Sequence, residues 1–78
     1  MAAETIEVEI HTEWIPLDKL LKFAGVAESG GQAGEWIADG AITLNGEVVQ
    51  EKRKKIRPGD VVKLGDEIIL NIKREETL

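Results

Sequence analysis

The residues that decide the fold are 16–46, "PLDKLLKFAGVAESGGQAGEWIADGAITLNG". Two stretches with helical periodicity each end at a glycine, and an alternating segment with an Asn-Gly pair follows them. A glycine after the last periodic residue is a common helix stop, and Asn-Gly between alternating segments is a strong hairpin signal. This order predicts two short helices followed by a strand that enters a hairpin.

The first predicted helix runs from Pro16 to Gly25. Proline suits the first helical position because its missing N–H is not needed there, and Asp18 lies in the first turn, where the helix dipole favours an acid. The apolar residues form one stripe at i, i+3, i+4 and i+7, namely Leu17, Leu20, Leu21 and Ala24. At about two and a half turns, this helix depends on packing more than on propensity.

The second predicted helix begins near Ser29 and ends at Gly40. Ser29 and Gln32 have the spacing of a capping box. The buried face consists of Ala33, Trp36 and Ile37. Gly30 and Gly31 each cost up to roughly 1 kcal/mol relative to alanine in a helix interior. Either something must approach this turn closely, or the helix start is frayed.

Short strands with alternating apolar residues surround the two helices. The N-terminal strand covers residues 5–11, with Ile6, Val8 and Ile10 on one face. Ile42 and Leu44 alternate before Asn45-Gly46, and the strands "EVV", "VVKL" and "EIILNI" follow, with turns at Pro58-Gly59 and Gly65-Asp66. Residues 73–78 are predicted to be a polar tail. The order implies an α+β layer with both helices on one face of a small sheet.

Length and composition limit the classes of protein that are possible. The 78 residues suffice for a single domain over 1–78, and the apolar fraction of 42% argues against disorder. The absence of cysteine excludes disulfides and thiolate metal sites, which suits a reducing cytoplasm. The N-terminus has no basic region or long apolar run, so we expect no signal peptide, no membrane span and a cytoplasmic location.

The sequence lacks the residue patterns of catalysis. His11 is the only histidine and alternates onto the polar face of a strand, so we expect a surface residue and no metal site. No spaced pair of carboxylates lies in an apolar context, and "SGGQAG" follows a loop instead of a strand, so it is not a dinucleotide fingerprint. We expect no enzyme, no cofactor and no small-molecule substrate.

Positive charge is concentrated in "EKRKKIRPGD", residues 51–60. The chain has 15 acids and 10 bases, a net charge of −5, but five bases lie in this basic run: Lys52, Arg53, Lys54, Lys55 and Arg57. Residues 1–47 carry two bases and nine acids, a net of −7, whereas residues 48–78 carry eight bases and six acids, a net of +2. A local patch matters more for nucleic-acid binding than the total, because salt screens distant charges. From charge alone, the run is either a binding site or a solvated loop.

Three apolar residues lie in or near the basic run and the helices, and the sequence predicts how buried each one is. Ile56 interrupts the basic run and is predicted to be a core residue, as is Trp36 on the buried face of the second helix. Trp14 precedes the first helix and either packs over the end of the sheet or lies exposed and stacks on a base. Packing is the preferred prediction for Trp14.

The joint order and spacing of these residues resemble the S4 RNA-binding domain family over residues 15–64. The matching positions are Leu17-Asp18, Leu20-Leu21, Gly25-Val26, Ser29, Ala33, Trp36-Ile37, Gly40, Ile42, Leu44, Asn45-Gly46, Val49, Ile56, Gly59-Asp60, Val62 and Leu64. The "SGGQA" entry and the basic run look like a freestanding bacterial subgroup of the YaaA and YbcJ type. The resemblance implies the alpha-L fold, in which two short helices pack on a small, mostly antiparallel, curved sheet.

The resemblance also implies a function and a site. Members of the family bind structured RNA, commonly ribosomal or transfer RNA, and in enzymes that carry this domain the catalysis lies in other domains. We therefore expect a monomeric binder of such RNA or of ribosomal particles. The expected contacts are the basic run, Lys19 and Lys22 of the first helix, and the start of the second helix at Ser29, Gly30, Gly31 and Gln32.

Two positions depart from the family pattern. Many members carry arginine before Leu-Asp and directly after the serine, where this chain has Pro16 and Gly30. Free backbone N–H groups at the glycine-rich helix start are one replacement for these contacts, since they attract phosphate. A protein-interaction adaptor that kept the fold with a weakened RNA site is the alternative.

Overall fold

A computed structural model describes residues 3–75 of the chain. Seven strands and two helices follow one another along this part of the sequence. They are β1 (Glu4–Ile10), β2 (Ile15–Pro16), α1 (Leu17–Phe23), α2 (Gly30–Ala38), β3 (Ile42–Leu44), β4 (Glu47–Val48), β5 (Lys55–Ile56), β6 (Val61–Leu64) and β7 (Ile68–Arg74). No helix within residues 3–75 is long and apolar enough to cross a membrane.

The strands form one main sheet and one small ribbon. The main sheet has the order β1-β7-β6-β3-β4, and β2 pairs with β5 in a separate antiparallel ribbon. Every pair in the main sheet is antiparallel except β1 with β7, which run parallel from Glu4 opposite Ile68 to Ile10 opposite Arg74. The predicted α+β class with a mostly antiparallel sheet is confirmed.

One apolar core joins the helices to the sheet. Alternate strand residues enter it, as predicted for β1, where Val8 and Ile10 are buried and Ile6 packs at the edge. The helices contribute five buried residues: Leu17, Leu20, Leu21, Ala33 and Ile37. Trp36, which the periodicity places in the core, is half-buried and packs against its edge.

The first helix begins one residue later than predicted. Pro16 is extended, with φ −62° and ψ 142°, and pairs with Lys55 in the β2–β5 ribbon instead of occupying the first helical position. The ribbon forms because Ile15 and Ile56, directly opposite each other, are both buried. The predicted core position of Ile56 is therefore confirmed.

The chain extends the main sheet further toward the C-terminus than predicted. The sequence predicts a polar tail from Lys73 onward, but Lys73 and Arg74 both belong to β7. They pair with Glu9 and Ile10 of β1, and Lys73 forms an ion pair with Glu7, so the parallel partner prolongs the strand. The N–H of Glu75 also donates to the Ile10 carbonyl oxygen of β1, at 2.8 Å. The last three residues of the predicted tail, 76–78, lie outside the described residues.

Candidate nucleic-acid interface

The start of α2 leaves two backbone donors free. Ser29 Oγ accepts a hydrogen bond from the Gln32 N–H at 3.2 Å, and Gln32 Oε1 accepts one from the Glu28 N–H at 2.8 Å. This arrangement is the predicted capping box with its return bond moved one residue back. Within residues 3–75, the N–H groups of Gly30 and Gly31 have no acceptor. The helix is regular from Gly30 onward, which disagrees with a frayed start.

No crowding from the protein requires either glycine at this helix start. A Cβ atom added at Gly30 would lie 3.9 Å from Lys22 Cδ, and one at Gly31 would lie 3.8 Å from Ser29 Oγ. Both are ordinary contact distances. The glycines therefore leave this end of α2 uncovered, and Lys22 of α1 lies beside it.

Gly34 makes room for the basic run on the next turn of α2. A Cβ atom at Gly34 would lie 3.3 Å from Lys52 Cε and 3.5 Å from Lys52 Nζ. The side chain of Lys52 therefore lies across the helix at this position. A glycine inside a helix costs about 1 kcal/mol relative to alanine, and this penalty was the sequence signal that could have identified the contact.

The main chain of the basic run is fixed to α1. The N–H groups of Leu17 and Asp18 donate to the carbonyl oxygens of Lys54 and Lys52 at 2.9 and 3.0 Å. These bonds satisfy two of the donors that a helix start leaves open. The N-terminus of α1 is thus covered by protein, unlike that of α2. Lys19 is exposed and lies one turn before Lys22 on the same side of α1.

The other bases of the run line a second, concave surface. We call it the basic groove; it is lined by Leu44, Glu51, Arg53, Lys54, Lys55, Arg57 and Asp60. All four of its bases are exposed, and none forms an ion pair with a carboxylate of the described residues. The structure thus divides the predicted site residues. Lys22 lies beside the α2 start and Lys52 beside the next turn of α2, whereas Arg53, Lys54, Lys55 and Arg57 line the groove.

Trp14 belongs to the environment of the groove. The Lys55 ammonium lies over the Trp14 ring, 4.9 Å from the ring centroid, and forms a cation–π contact with it. The residue is 37% exposed, so the preferred prediction that Trp14 packs over the sheet is not supported. No sequence pattern predicts the contact between Trp14 and Lys55, because the two residues lie far apart along the chain.

Asp60, which lines the groove, belongs to a polar network. Asn45 Nδ2 donates to Asp60 Oδ1 at 3.1 Å, and Asn45 Oδ1 accepts from the Val61 N–H at 2.9 Å. Asp60 Oδ2 accepts from the Arg57 N–H at 2.8 Å. The network ties the β3–β4 hairpin to the turn that follows Arg57. These side chains are therefore structural parts of the site.

The structure contains no arrangement of ligands suited to a metal ion within residues 3–75. No three histidine or carboxylate side chains come together there. His11 is exposed and lies 3.9 Å from a Glu75 oxygen. The described surface instead presents exposed cations and two backbone N–H groups without acceptors, which is the chemistry that anions require.

Comparisons with known proteins agree with the fold. A sequence profile described as the S4 domain matches residues 8–72. A protein of Bacillus subtilis (strain 168) called "Probable ribosome maturation protein RlbA" is 35% identical over 57 residues, which cover 73% of this chain and 80% of that protein. The solution structure of YbcJ from E. coli, described as having an αL motif involved in RNA binding, superposes with a TM-score of 0.62. The two chains are 33% identical over 83% of this chain and 85% of YbcJ.

Proposed function

Because the chain belongs to the S4 domain family, we propose that it binds structured RNA, either ribosomal or transfer RNA, and that it acts on or near ribosomal particles. In this proposal the contacts are to phosphates, through the basic run, Lys19, Lys22 and the free N–H groups at the start of α2. The protein is a monomeric binding module of the cytoplasm, without chemistry of its own. The name of the B. subtilis relative, which mentions ribosome maturation, and the description of YbcJ, which mentions RNA binding, support this proposal.

The observation that carries the proposal is the position of two lysines. Pro16 and Gly30 stand where many relatives have arginine, and each has a lysine from another element beside it. Lys55 is the cross-strand partner of Pro16, and the side chain of Lys22 lies 3.9 Å from where a Cβ of Gly30 would be. A cation is therefore available near both positions, although neither position carries one itself.

Charge supplies the affinity in this mechanism, and RNA shape supplies the specificity. Lysine and arginine neutralise phosphates without reading the base sequence. Structured RNA is distinguished mainly by its backbone shape and its unpaired regions. The acidic remainder of the chain repels RNA, which favours one orientation of binding.

The salt dependence of binding tests the proposal. With four phosphates contacted, log K for a ribosomal RNA fragment falls against log salt with a slope of about −3, at 0.7–0.9 per contact. Replacing Lys52, Arg53, Lys54 and Lys55 together by alanine flattens this slope and leaves only the share that Lys19, Lys22 and Arg57 supply. The single variant Lys52→Ala reduces the steepness of the slope by about 0.7–0.9. Its matched control is Lys63→Ala, which removes the same charge from an exposed position of β6 outside the proposed site. A slope that the quadruple variant leaves unchanged contradicts the site.

A rescue experiment separates lost charge from lost structure. Lys22→Ala weakens binding at low salt, and adding Gly30→Arg to this variant restores it. The position has room for the new side chain, because the nearest described atom to an added Cβ belongs to Lys22 itself. Failure of the rescue in a folded protein argues against a phosphate at the start of α2.

The alternative is an adaptor that binds protein in place of RNA. Phe23 and Val48 favour it, because both are large apolar residues and are 60% and 61% exposed. Capture of a partner that survives nuclease treatment, together with no RNA binding at low salt, selects the adaptor. A partner that is lost on nuclease treatment selects the RNA binder.

A further inference from the structure

The β2–β5 ribbon has one buried and one accessible side. Ile15 and Ile56 face the core, so the cross-strand pair Pro16–Lys55 faces outward. Trp14 directly precedes β2 and Arg57 directly follows β5. Because side chains alternate along extended chains and the strands are antiparallel, Trp14 and Arg57 continue the outward side at the end of the ribbon. An indole and two cations therefore share one small surface.

This surface continues into the basic groove. Lys55 lies over the Trp14 ring and also lines the groove, together with Arg53, Lys54 and Arg57. More than a third of Trp14 stays accessible, at 37%, and its carbonyl accepts a hydrogen bond from Thr12 Oγ1 at 2.8 Å, which fixes the preceding turn. An accessible aromatic ring held beside a row of cations is the arrangement that binds single-stranded nucleic acid, because bases stack on the ring while phosphates meet the cations.

We infer that Trp14 is a stacking platform for an unpaired base of the RNA, and that the basic groove holds the phosphates on either side of that base. This inference rests on the proposed RNA binding and adds the kind of RNA segment bound there, an unpaired stretch such as a loop or bulge. The ammonium of Lys55, which the cation–π contact holds beside the indole, binds the phosphate next to the stacked base. A base inside a duplex cannot reach the ring, since its faces are already stacked on its neighbours.

Two RNA oligomers of equal length test this inference directly. One is oligoadenylate, and the other is an abasic ribose-phosphate chain with the same number of phosphates and no bases. The protein binds oligoadenylate roughly 5- to 150-fold more tightly than the abasic chain, the range expected for one base stacked on one aromatic residue. In the Trp14→Leu variant the two oligomers bind equally, whereas the Trp14→Phe variant keeps part of the difference.

Fluorescence gives a second, independent readout. In the Trp36→Phe variant, Trp14 is the only tryptophan, and oligoadenylate quenches its emission whereas the abasic chain does not. Should that variant fail to fold, the same quenching is obtained as the difference between the unmodified protein and Trp14→Leu. Circular dichroism of Trp14→Leu shows that its fold is retained.

The outcomes separate this inference from the proposed function. Equal binding of the two oligomers by the unmodified protein, without quenching, overturns the stacking role. So does a preference for oligoadenylate that Trp14→Leu leaves intact, or a failure of both oligomers to bind at low salt. In each of these cases the salt slope with structured ribosomal RNA still decides whether the protein binds phosphates. Only an unchanged slope in the quadruple variant would remove the proposed site itself.

Discussion

Replacement of Asn45 by alanine should destabilise the fold substantially, although the side chain is exposed. Asn45 has φ 51°, in the left-handed region, where a residue with a Cβ other than asparagine or aspartate costs about 1–2 kcal/mol. Its amide also makes two hydrogen bonds, to Asp60 and from the Val61 N–H. At the surface each contributes about 0.5–1 kcal/mol. The sum is a loss of about 2–4 kcal/mol.

This loss is large for so small a domain, whose expected stability is about 4–12 kcal/mol. Urea denaturation followed by tryptophan fluorescence measures it, and an unchanged m value shows that the unfolded state is comparable. Asn45→Gly is the matched control, because glycine accepts the positive φ and loses only the hydrogen bonds. We expect it to be less destabilised than Asn45→Ala.

A double-mutant cycle with Asp60→Ala tests the network itself. The two side chains share a hydrogen bond. The losses of unfolding free energy in the two single variants should therefore not be additive, and the coupling free energy should be at least about 0.5 kcal/mol. Additive changes, or a loss below about 1 kcal/mol for Asn45→Ala, would show that Asn45 and Asp60 do not form a stabilising network.

Three further changes have clear expected outcomes. Ser29→Ala removes the N-cap of α2 and should lower the free energy of unfolding by about 1 kcal/mol, whereas Ser29→Asp should largely keep it, as urea titration will show. Gly34→Ala should stabilise the helix by up to about 1 kcal/mol, but its added Cβ atom would lie 3.3 Å from Lys52 Cε. The gain in free energy of unfolding should therefore be larger when Lys52→Ala is also present, and denaturation of the single and double variants measures this difference. Ile56→Ala should cost about 2–5 kcal/mol, because Ile56 is fully buried, and a change below 1 kcal/mol by calorimetry would contradict its place in the core.

Local signals were enough to predict much of the fold. The leucine stripe of α1, the serine and glutamine at the start of α2, and the Asn-Gly turn each act within a few residues of themselves. Gly25 and Gly40, with φ of 76° and 77°, end the helices where the sequence predicted. Such features need no knowledge of distant residues, and the structure contains them all.

The β2–β5 ribbon and the parallel pairing of β1 with β7 could not be predicted in this way. Each strand of the ribbon has two residues, too few to show any periodicity. It exists because the core buries Ile15 and Ile56 together, which is a property of the tertiary structure. The extension of β7 to Arg74 likewise depends on β1, whose residues lie at the other end of the chain.

The candidate site was predicted as a set of residues but not as a shape. Composition identified the basic run, and the resemblance to the S4 domain joined it to α2. Neither indicated that the Lys52 side chain lies across Gly34 or that the Lys55 ammonium lies near the Trp14 ring, because both contacts join residues that are distant in the sequence. The division of the run between α2 and the basic groove is a result of the three-dimensional structure.

The basic run has two separable roles, and this separation leads to a last prediction. The carbonyl groups of Lys52 and Lys54 hold the start of α1, while the side chains of residues 52–54 are exposed. Alanine keeps the carbonyl and removes the charge. The triple variant Lys52→Ala, Arg53→Ala, Lys54→Ala should therefore keep its free energy of unfolding within about 1 kcal/mol of the original, because substitutions at exposed positions usually change stability little. Its RNA affinity should become far less sensitive to salt. Unfolding of this variant at room temperature would show that the side chains also support the fold, and the loss of RNA binding could then no longer be attributed to charge.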